Sequence, residues 1–418
     1  MSLPESARVV IVGAGPAGLA TAIVLATEKV PFVLVDALTE NQNGSRAAVI
    51  HAYTLEQLDT YGLADALVNE GIHMRHVTSY DHNERPLINM PLGDLLQKHT
   101  KFPFANLIAQ CEVERILCKH LEQLGGVIHR NKRVTSLREV NDGLEVGLES
   151  GETVRADYVV GTDGSKSVIR TAADIPFLDP ATNRLSEASD DDVQVVLADA
   201  FLAEPFPPAV PLDRLWGGFS ADGFFVLIPV KRAGKPHPPG TRPFRVAMTV
   251  PKGSASAAPD MEQLQILLNT RGPGHSTGNT AQIAEVATSS RYRVRSGLAS
   301  QFVKRVGAGW VLLAGDAAHI HSPAGGQGMN IGLADGIALG RAIAAGTEDS
   351  LKEYEQKRRA IAGEVIAFVQ RLTVGATNSW LQVPLLNSLR DWLVWGVTKL
   401  PGVANQAVWR MSGLVYRE

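Results

Sequence analysis

An α/β fold, α+β overall, is predicted for this 418-residue chain. It comprises a Rossmann-type dinucleotide-binding domain, an inserted β-sheet domain and a C-terminal helical segment. Three observations predict it. A glycine-rich turn, GAGPAG at residues 13–18, follows a short apolar run. A second, GDAAHIHSPAGGQGMNIG at residues 315–332, follows another apolar run far along the chain. Between them, from about 176 to 290, proline, aromatic residues and alternating β-patterned segments take over.

Residues 8–12 (RVVIV) run without a polar break into Gly13, which suits a strand buried on both faces of a parallel sheet. Gly13, Gly15 and Gly18 keep the G-x-G-x-x-G spacing. The first glycine permits the tight turn, the second lets backbone approach a pyrophosphate, and the third lets the next helix pack against the strand. Pro16 and Ala17 lead into that helix, which continues over residues 19–26 and turns its N-terminal amides toward the phosphates. A second apolar strand, residues 32–35, ends at Asp36, close to the ~20-residue offset of the acid that holds a ribose hydroxyl. An acid there disfavours a 2′-phosphate, so the site suits FAD or NAD better than NADP.

Residues 54–61 read as a helix stopped by Gly62, 76–100 as strand and loop, and 111–124 as an amphipathic helix stopped by Gly125 and Gly126. Residues 133–139 and 143–149 alternate as a hairpin around Asn141-Asp142-Gly143, and 158–164 is again strand into glycine turn. Strands are expected at 192–200, 223–230 and 244–250, with loops at 231–243 and 271–280. After the apolar residues 310–314, Gly315 and Asp316 open the second turn. Pro323, Gly326, Gln327, Gly328, Met329 and Asn330 then lead into a helix over 331–345. Such a helix start offers free N–H groups and positive partial charge, a fitting partner for the anionic edge of a reduced flavin. Asp316 suits ribityl hydroxyls or a bridging water instead. Residues from about 351 onward read as helical, broken at Pro384 and Pro401. The predicted division is 1–75, 101–175 and 291–350 for the cofactor, 76–100 and 176–290 for substrate, and 351–418 as a C-terminal helical region.

Forty basic against forty-three acidic residues give a net charge of −3, which leaves no global nucleic-acid footprint. Cys111 and Cys118 sit seven apart on an expected helix and form no disulfide scaffold, as suits a reducing compartment. His319 and His321 lack the acidic or thiol neighbours of a metal site, so no metal is expected. No stretch reaches the ~18 apolar residues needed to span a bilayer. The first strand begins too early to leave room for a signal peptide, so a soluble cytoplasmic protein is expected.

Taken together, GAGPAG, GTDGSKSVIR at residues 161–170 and GDAAH…P…GQGMN resemble the class A flavoprotein aromatic hydroxylases. This is the group of the 4-hydroxybenzoate and phenol hydroxylases, and the resemblance covers residues from about 8 to 345. It implies FAD as the bound cofactor, O₂ as co-substrate, and NADPH or NADH as a transient electron donor with no Rossmann site of its own. It places Arg46 near the FAD pyrophosphate and Gln110 on the ribityl side. Asp163, Gly164, Ser167 and Arg170 match a motif linked to both FAD and NADPH, which makes Ser167 and Arg170 candidate NADPH contacts. The implied activity is hydroxylation of a phenolic or other electron-rich aromatic substrate through a flavin C4a-hydroperoxide, from which water must be excluded. Epoxidation of an alkene or isoprenoid on the same scaffold is one alternative. A flavin-binding redox protein without oxygenase turnover is another.

Residues 46–56 (RAAVIHAYTLE) depart from the family's R-A-x-x-x-x-x-R-T-L-E stretch. Tyr53 replaces the second arginine, and Ala48 stands where some phenol hydroxylases carry a catalytic aspartate. His51 becomes the candidate acid/base, its unperturbed pKa suiting proton transfer; a hydrogen-bonded packing histidine is the competing reading. Trp216, Phe219, Phe224 and Phe225 suit either the wall of an aromatic pocket or core packing. Arg291, Arg293 and Arg295 alternate as a strand's solvent face would, or one meets an NADPH phosphate. Leu385, Leu389, Trp392, Leu393 and Trp395 fall broadly on one helical face. That face suits covering a domain edge, a contact in a homodimer, or peripheral docking on a membrane.

Overall fold

The computed structural model describes residues 3–40, 47–187, 189, 192–220, 223–231, 237–251, 256–377 and 402–417. Short apolar strands pair in parallel in the order Ile128–His129, Phe32–Val35, Ser6–Val12, Thr153–Gly161, Gly309–Leu313. From Ser6–Val12 the early strands extend to one side and the later ones to the other. The chain order therefore reverses beside Ser6–Val12, the point at which open α/β sheets bind ligands in a crevice beyond the carboxyl ends of their strands. Val9, Ile11, Leu34, Val159, Val160 and Leu312 are wholly buried, as continuous apolar strands covered on both faces must be.

Helices Pro16–Thr27 and Gly328–Ala345 pack closely against each other because glycine removes the side chains at their crossing. A Cβ at Gly336 would lie 2.3 Å from the Ala17 carbonyl oxygen, and one at Gly340 would lie 2.6 Å from Val24 Cβ. The hairpin Val134–Val140 and Gly143–Leu148 joins Thr153–Gly161 edge to edge, and Val303–Val306 pairs antiparallel with Gly309–Leu313.

A second sheet runs Ile283–Arg293, Gln194–Ala203, Thr241–Val250, Gly223–Pro229, Trp216–Ser220, Val77–Tyr80, Pro86–Met90. It thus draws strands from both the early segment and the long insert. One face buries Trp216, Phe225, Leu227, Phe244, Val246 and Met248 against Leu264 and Leu268 of helix Met261–Arg271, forming a core of its own. From the opposite face Val226, Ile228 and Val230 pack against the core of the nucleotide-binding unit.

Some boundaries differ from expectation. The strand expected at 192–200 is Gln194–Ala203, and the helix expected at 54–61 is Ala52–Asp59, directly after His51. The helix expected from 331 begins at Gly328. Glu348–Thr377 forms one helix and Val403–Met411 another, while residues 385–400 lie outside the described residues. No helix among the described residues is long and apolar enough to cross a membrane.

Candidate functional site

Three turns converge at the carboxyl ends of adjacent parallel strands: Gly13–Gly18, Thr162–Gly164 and Gly315–Asp316. The first is fixed by sterics. Gly13 has φ +105°, and a Cβ there would meet the Thr162 carbonyl oxygen at 2.4 Å. A Cβ at Gly18 would stand 1.9 Å from the Gly13 carbonyl oxygen. At Gly15, by contrast, an added Cβ would meet nothing within 4 Å. The fold needs Gly13 and Gly18 for its own packing, while Gly15 faces open space at a helix start whose first residue is Pro16. A pyrophosphate needs such an opening beside unpaired helical amides, so the cradle fits the ADP side of FAD.

Asp36 closes this half of the site. Its Oδ2 accepts a hydrogen bond from Ala14 N at 2.6 Å and its Oδ1 one from Leu38 N at 2.8 Å, with Arg130 Nη1 at 3.8 Å from Oδ1. Both oxygens are thereby oriented at the crevice edge, and each keeps a further lone pair for a ribose hydroxyl. Arg46 lies outside the described residues. Next to it in sequence, Ala47 N donates to Gln110 Oε1 at 3.2 Å and Gln110 N donates to the Ala47 carbonyl at 3.0 Å. Gln110 Nε2 donates to Glu114 Oε1 at 2.9 Å, so this side chain fastens that segment to the helix Gln110–Gln123.

The middle turn is organised by buried polar groups. Asp163 Oδ2 accepts from Val168 N at 2.7 Å and Ile169 N at 3.2 Å. Burial raises its pKa, although Ser167 and these amides pull it back. Ser167 is fully buried and caps the helix Val168–Ala172 by accepting from Arg170 N. Arg170 is buried too. Its Nη1 donates to the Ala317 carbonyl and its Nη2 to the Ser165 carbonyl, each at 2.9 Å, and its guanidinium lies 4.1 Å from the Phe177 ring centroid. Both candidate NADPH contacts thus point inward, where Arg170 ties the middle turn to the third.

In the third turn Asp316 is exposed while Ala317 and Ala318 are buried. Pro323, Gly326 and Gly328 are half-buried, and Gln327, Met329 and Asn330 are buried. Asn330 is the main stitch. Its Oδ1 accepts from His51 N at 2.8 Å, and its Nδ2 donates to the Val49 and Gly326 carbonyls at 2.9 and 2.7 Å. Gln327 Nε2 donates to the Met411 carbonyl at 2.9 Å. These side chains hold the loop from behind and leave its backbone to face the crevice.

His51 is held through its ring. Its Nε2 lies 2.9 Å from the Gly325 carbonyl, an oxygen that can only accept, so Nε2 carries the hydrogen. The ring is 4% exposed, and burial pulls its pKa down to about 4 against the raising effect of that carbonyl. Burial thus makes His51 a weaker base than the free imidazole that suits a proton shuttle, and its Nε2–H holds the Gly325 carbonyl, as the packing reading expects. The aromatic quartet also divides. Trp216 and Phe225 belong to the core on the helix side of the second sheet, with ring centroids 5.9 Å apart. Phe219 and Phe224 are cross-strand partners on the opposite face and are half-buried. Strand alternation dictates this split, because neighbours in sequence face opposite ways.

Two residues were missed by sequence reasoning. Asp335, wholly buried, sits 2.5 Å from His319 Nε2 and accepts from Arg358 Nε at 2.6 Å. Burial favours the neutral acid, yet Arg358 first and His319 second hold the Asp335 carboxyl below its ordinary pKa. The available signal was Asp335 itself, the one acid in the apolar helix Gly328–Ala345. Nothing local marked Arg358. No cluster of potential metal ligands occurs among the described residues.

The comparisons agree with this geometry. The family model described as "FAD binding domain" matches residues 6–369. The chain is 30% identical over 378 residues to a rifampicin monooxygenase of Rhodococcus hoagii, a match covering 86% of this chain and 69% of that protein. It is also 30% identical over 384 residues to a 12-dehydrotetracycline 5-monooxygenase/anhydrotetracycline 6-monooxygenase of Streptomyces rimosus, covering 86% of this chain and 67% of that one. In fold it resembles p-nitrophenol 4-monooxygenase from Pseudomonas putida, with TM-score 0.81 and 23% identity over 99% of this chain and 100% of that one. The chain belongs to the FAD-binding-domain family, the class A flavoprotein monooxygenases.

Proposed function

We propose that this enzyme uses FAD, NAD(P)H and O₂ to hydroxylate a phenolic or other electron-rich aromatic compound lying between the third turn and the second sheet. The observation that carries the substrate class is the sheet face turned toward the nucleotide-binding unit. Leu197, Ala247, Val226 and Gly217 stand side by side in register across four strands. Phe224 and Phe219 lie two residues along the last two of those strands, hence on the same face. Leu197, Ala247, Val226, Phe219 and Phe224 are only partly covered, unlike the residues of the helix side. An apolar strip with an aromatic pair suits a planar ring, while Asp199 and Arg245, two residues along the first two of those strands and bonded to each other, add a buried polar pair to the same face.

The chemistry that bound FAD would supply is hydride acceptance from NAD(P)H and activation of O₂, with one oxygen atom going to the substrate and the other to water. The chain's residues do the rest. The turn at Gly13, Gly15, Pro16, Ala17 and Gly18 would hold the pyrophosphate, with Asp36 on the adenosine ribose. Asp316 and Gln110 serve the ribityl side. The backbone of Gly326–Asn330 supplies N–H groups and the positive end of a helix to the flavin ring, and these stabilise negative charge when the ring is reduced. His51 acts as a positioning residue through Gly325. Residues 76–100 and 176–290 form the substrate-facing unit, and Ser167 and Arg170 affect the electron donor only through the turns they brace. A cytoplasmic enzyme, monomeric or homodimeric, fits this reading.

The test is NADPH and NADH oxidation, with O₂ uptake, by the FAD-loaded full chain across a panel of phenols. Substrate-stimulated oxidation coupled to a hydroxylated product is expected. Bound flavin that neither nicotinamide reduces under any ligand condition would overturn the proposal.

A further inference from the structure

A buried ion pair, Asp335 with Arg358, lies directly behind the third turn with His319 against it. The Asp335 carboxylate accepts from Gly315 N at 3.2 Å and lies 2.5 Å from His319 Nε2, so it grips both ends of the segment that contains Asp316. Arg358, on the next helix, donates to the other Asp335 oxygen at 2.6 Å and to the Ile331 carbonyl at 3.2 Å. Tyr354, one turn earlier on that helix, donates to the Leu313 carbonyl at 2.6 Å, just before the turn. All four side chains are buried, with Asp335 and Arg358 at 0% and 4% exposure.

Burying an ion pair costs several kcal/mol of desolvation, which a well-packed apolar pair would avoid. Such a pair is best understood where it fixes a geometry that apolar contacts cannot. Gly315 needs that fixing. It sits at φ +61°, and an added Cβ would stand 2.9 Å from Ala17 Cβ, in the first helix of the other glycine turn. The third turn is therefore pressed against the first on one side and held by Asp335 on the other.

We propose that Asp335 is a positioning residue for the flavin: its carboxylate, charge-balanced by Arg358, fixes the Gly315–His319 backbone on which the ribityl and ring end of FAD rests. This rests on the reading above that the third turn serves that end of the cofactor. It makes the helix Glu348–Thr377 part of the cofactor site although Arg358 and Tyr354 point into the protein behind it.

The test is binding by the full chain of three probes: FAD and riboflavin by fluorescence quenching, and ADP by calorimetry. Asp335→Asn keeps the side-chain shape but not the charge. It should weaken riboflavin and FAD at least tenfold, leave ADP within about threefold, and alter the visible circular dichroism of bound flavin. Arg358→Met should reproduce that pattern, and Arg358→Lys should keep flavin affinity. The arginine pair carries the test if Asp335→Asn fails to fold. Unchanged flavin affinity in Asp335→Asn and Arg358→Met would overturn the proposal. So would equal weakening of ADP and riboflavin, which marks a general loss of fold. Wild-type chain that bound neither FAD nor riboflavin would instead overturn the reading of the site, and the inference with it.

Discussion

The two glycine turns that meet at the crevice are held in opposite ways. Gly13–Gly18 is fixed chiefly by collisions: any side chain at Gly13 or Gly18 would strike backbone, and besides Thr162 the turn bonds to Val35 and Asp36 at the end of the adjacent strand. The loop from Gly315 to Asn330 is fixed by hydrogen bonds and charge from side chains outside it, namely His51 and Arg358 on distant segments and Asp335 on the helix it opens. A turn defined mainly by sterics depends little on the charge of side chains elsewhere. One held by buried polar groups depends on their protonation and on helices elsewhere in the chain. On the proposed reading, a constant half-site for the nucleotide meets an adjustable half-site for the reacting ring.

The comparison can be broken most forcefully at the charged end. Arg358→Met leaves the Asp335 charge buried and unpaired and is expected to destabilise the protein by ~3–5 kcal/mol, read by denaturant unfolding. A loss below about 1 kcal/mol would mean that the ion pair does not hold the third turn. Phe225→Ala should cost a similar ~3–5 kcal/mol through its cavity in the second core. Phe224→Ala, on the half-buried face, should cost much less stability and instead raise KM for the aromatic substrate. Equal effects from the two phenylalanines would remove the distinction between the faces.

His51 gives the adjustable half its pH dependence. The folded pKa is about 4 against an ordinary 6.5, so as pH falls through 6.5 the unfolded chain takes up a proton that the folded chain refuses. Stability is lost progressively as pH drops from about 6.5 to about 4, by up to ~3 kcal/mol. Unfolding midpoints of His51→Gln should be flatter across that window. An identical pH slope in variant and wild type would show that His51 is not the group responsible.

The sequence was most legible where structure is local. The first turn, its helix and the acid at position 36 follow from a contiguous run of residues. The hairpin at 134–148 follows from alternation around one turn. The function of His51 was not legible, because its partners Gly325 and Asn330 lie 274 and 279 residues away. A histidine's neighbours decide whether it titrates near neutrality, and its own segment does not contain them. The aromatic quartet could not be divided from sequence for a simpler reason. Composition marked four rings, but only strand register shows which two share a face with the crevice. Asp335 offered a cue in its apolar helix, whereas Arg358 sits on a helix with many exposed charges and offered none.

The difference between the fold's glycines and the cofactor's glycine tests the account most directly. Gly15 has an ordinary extended backbone, φ −76°, and open space where a side chain would go. Gly15→Val should therefore melt within a degree or two of wild type without flavin. FAD titration should then show at least a tenfold loss of affinity, about 1.4 kcal/mol or more. FAD affinity equal to wild type would contradict the central claim that this turn is one half of the flavin site.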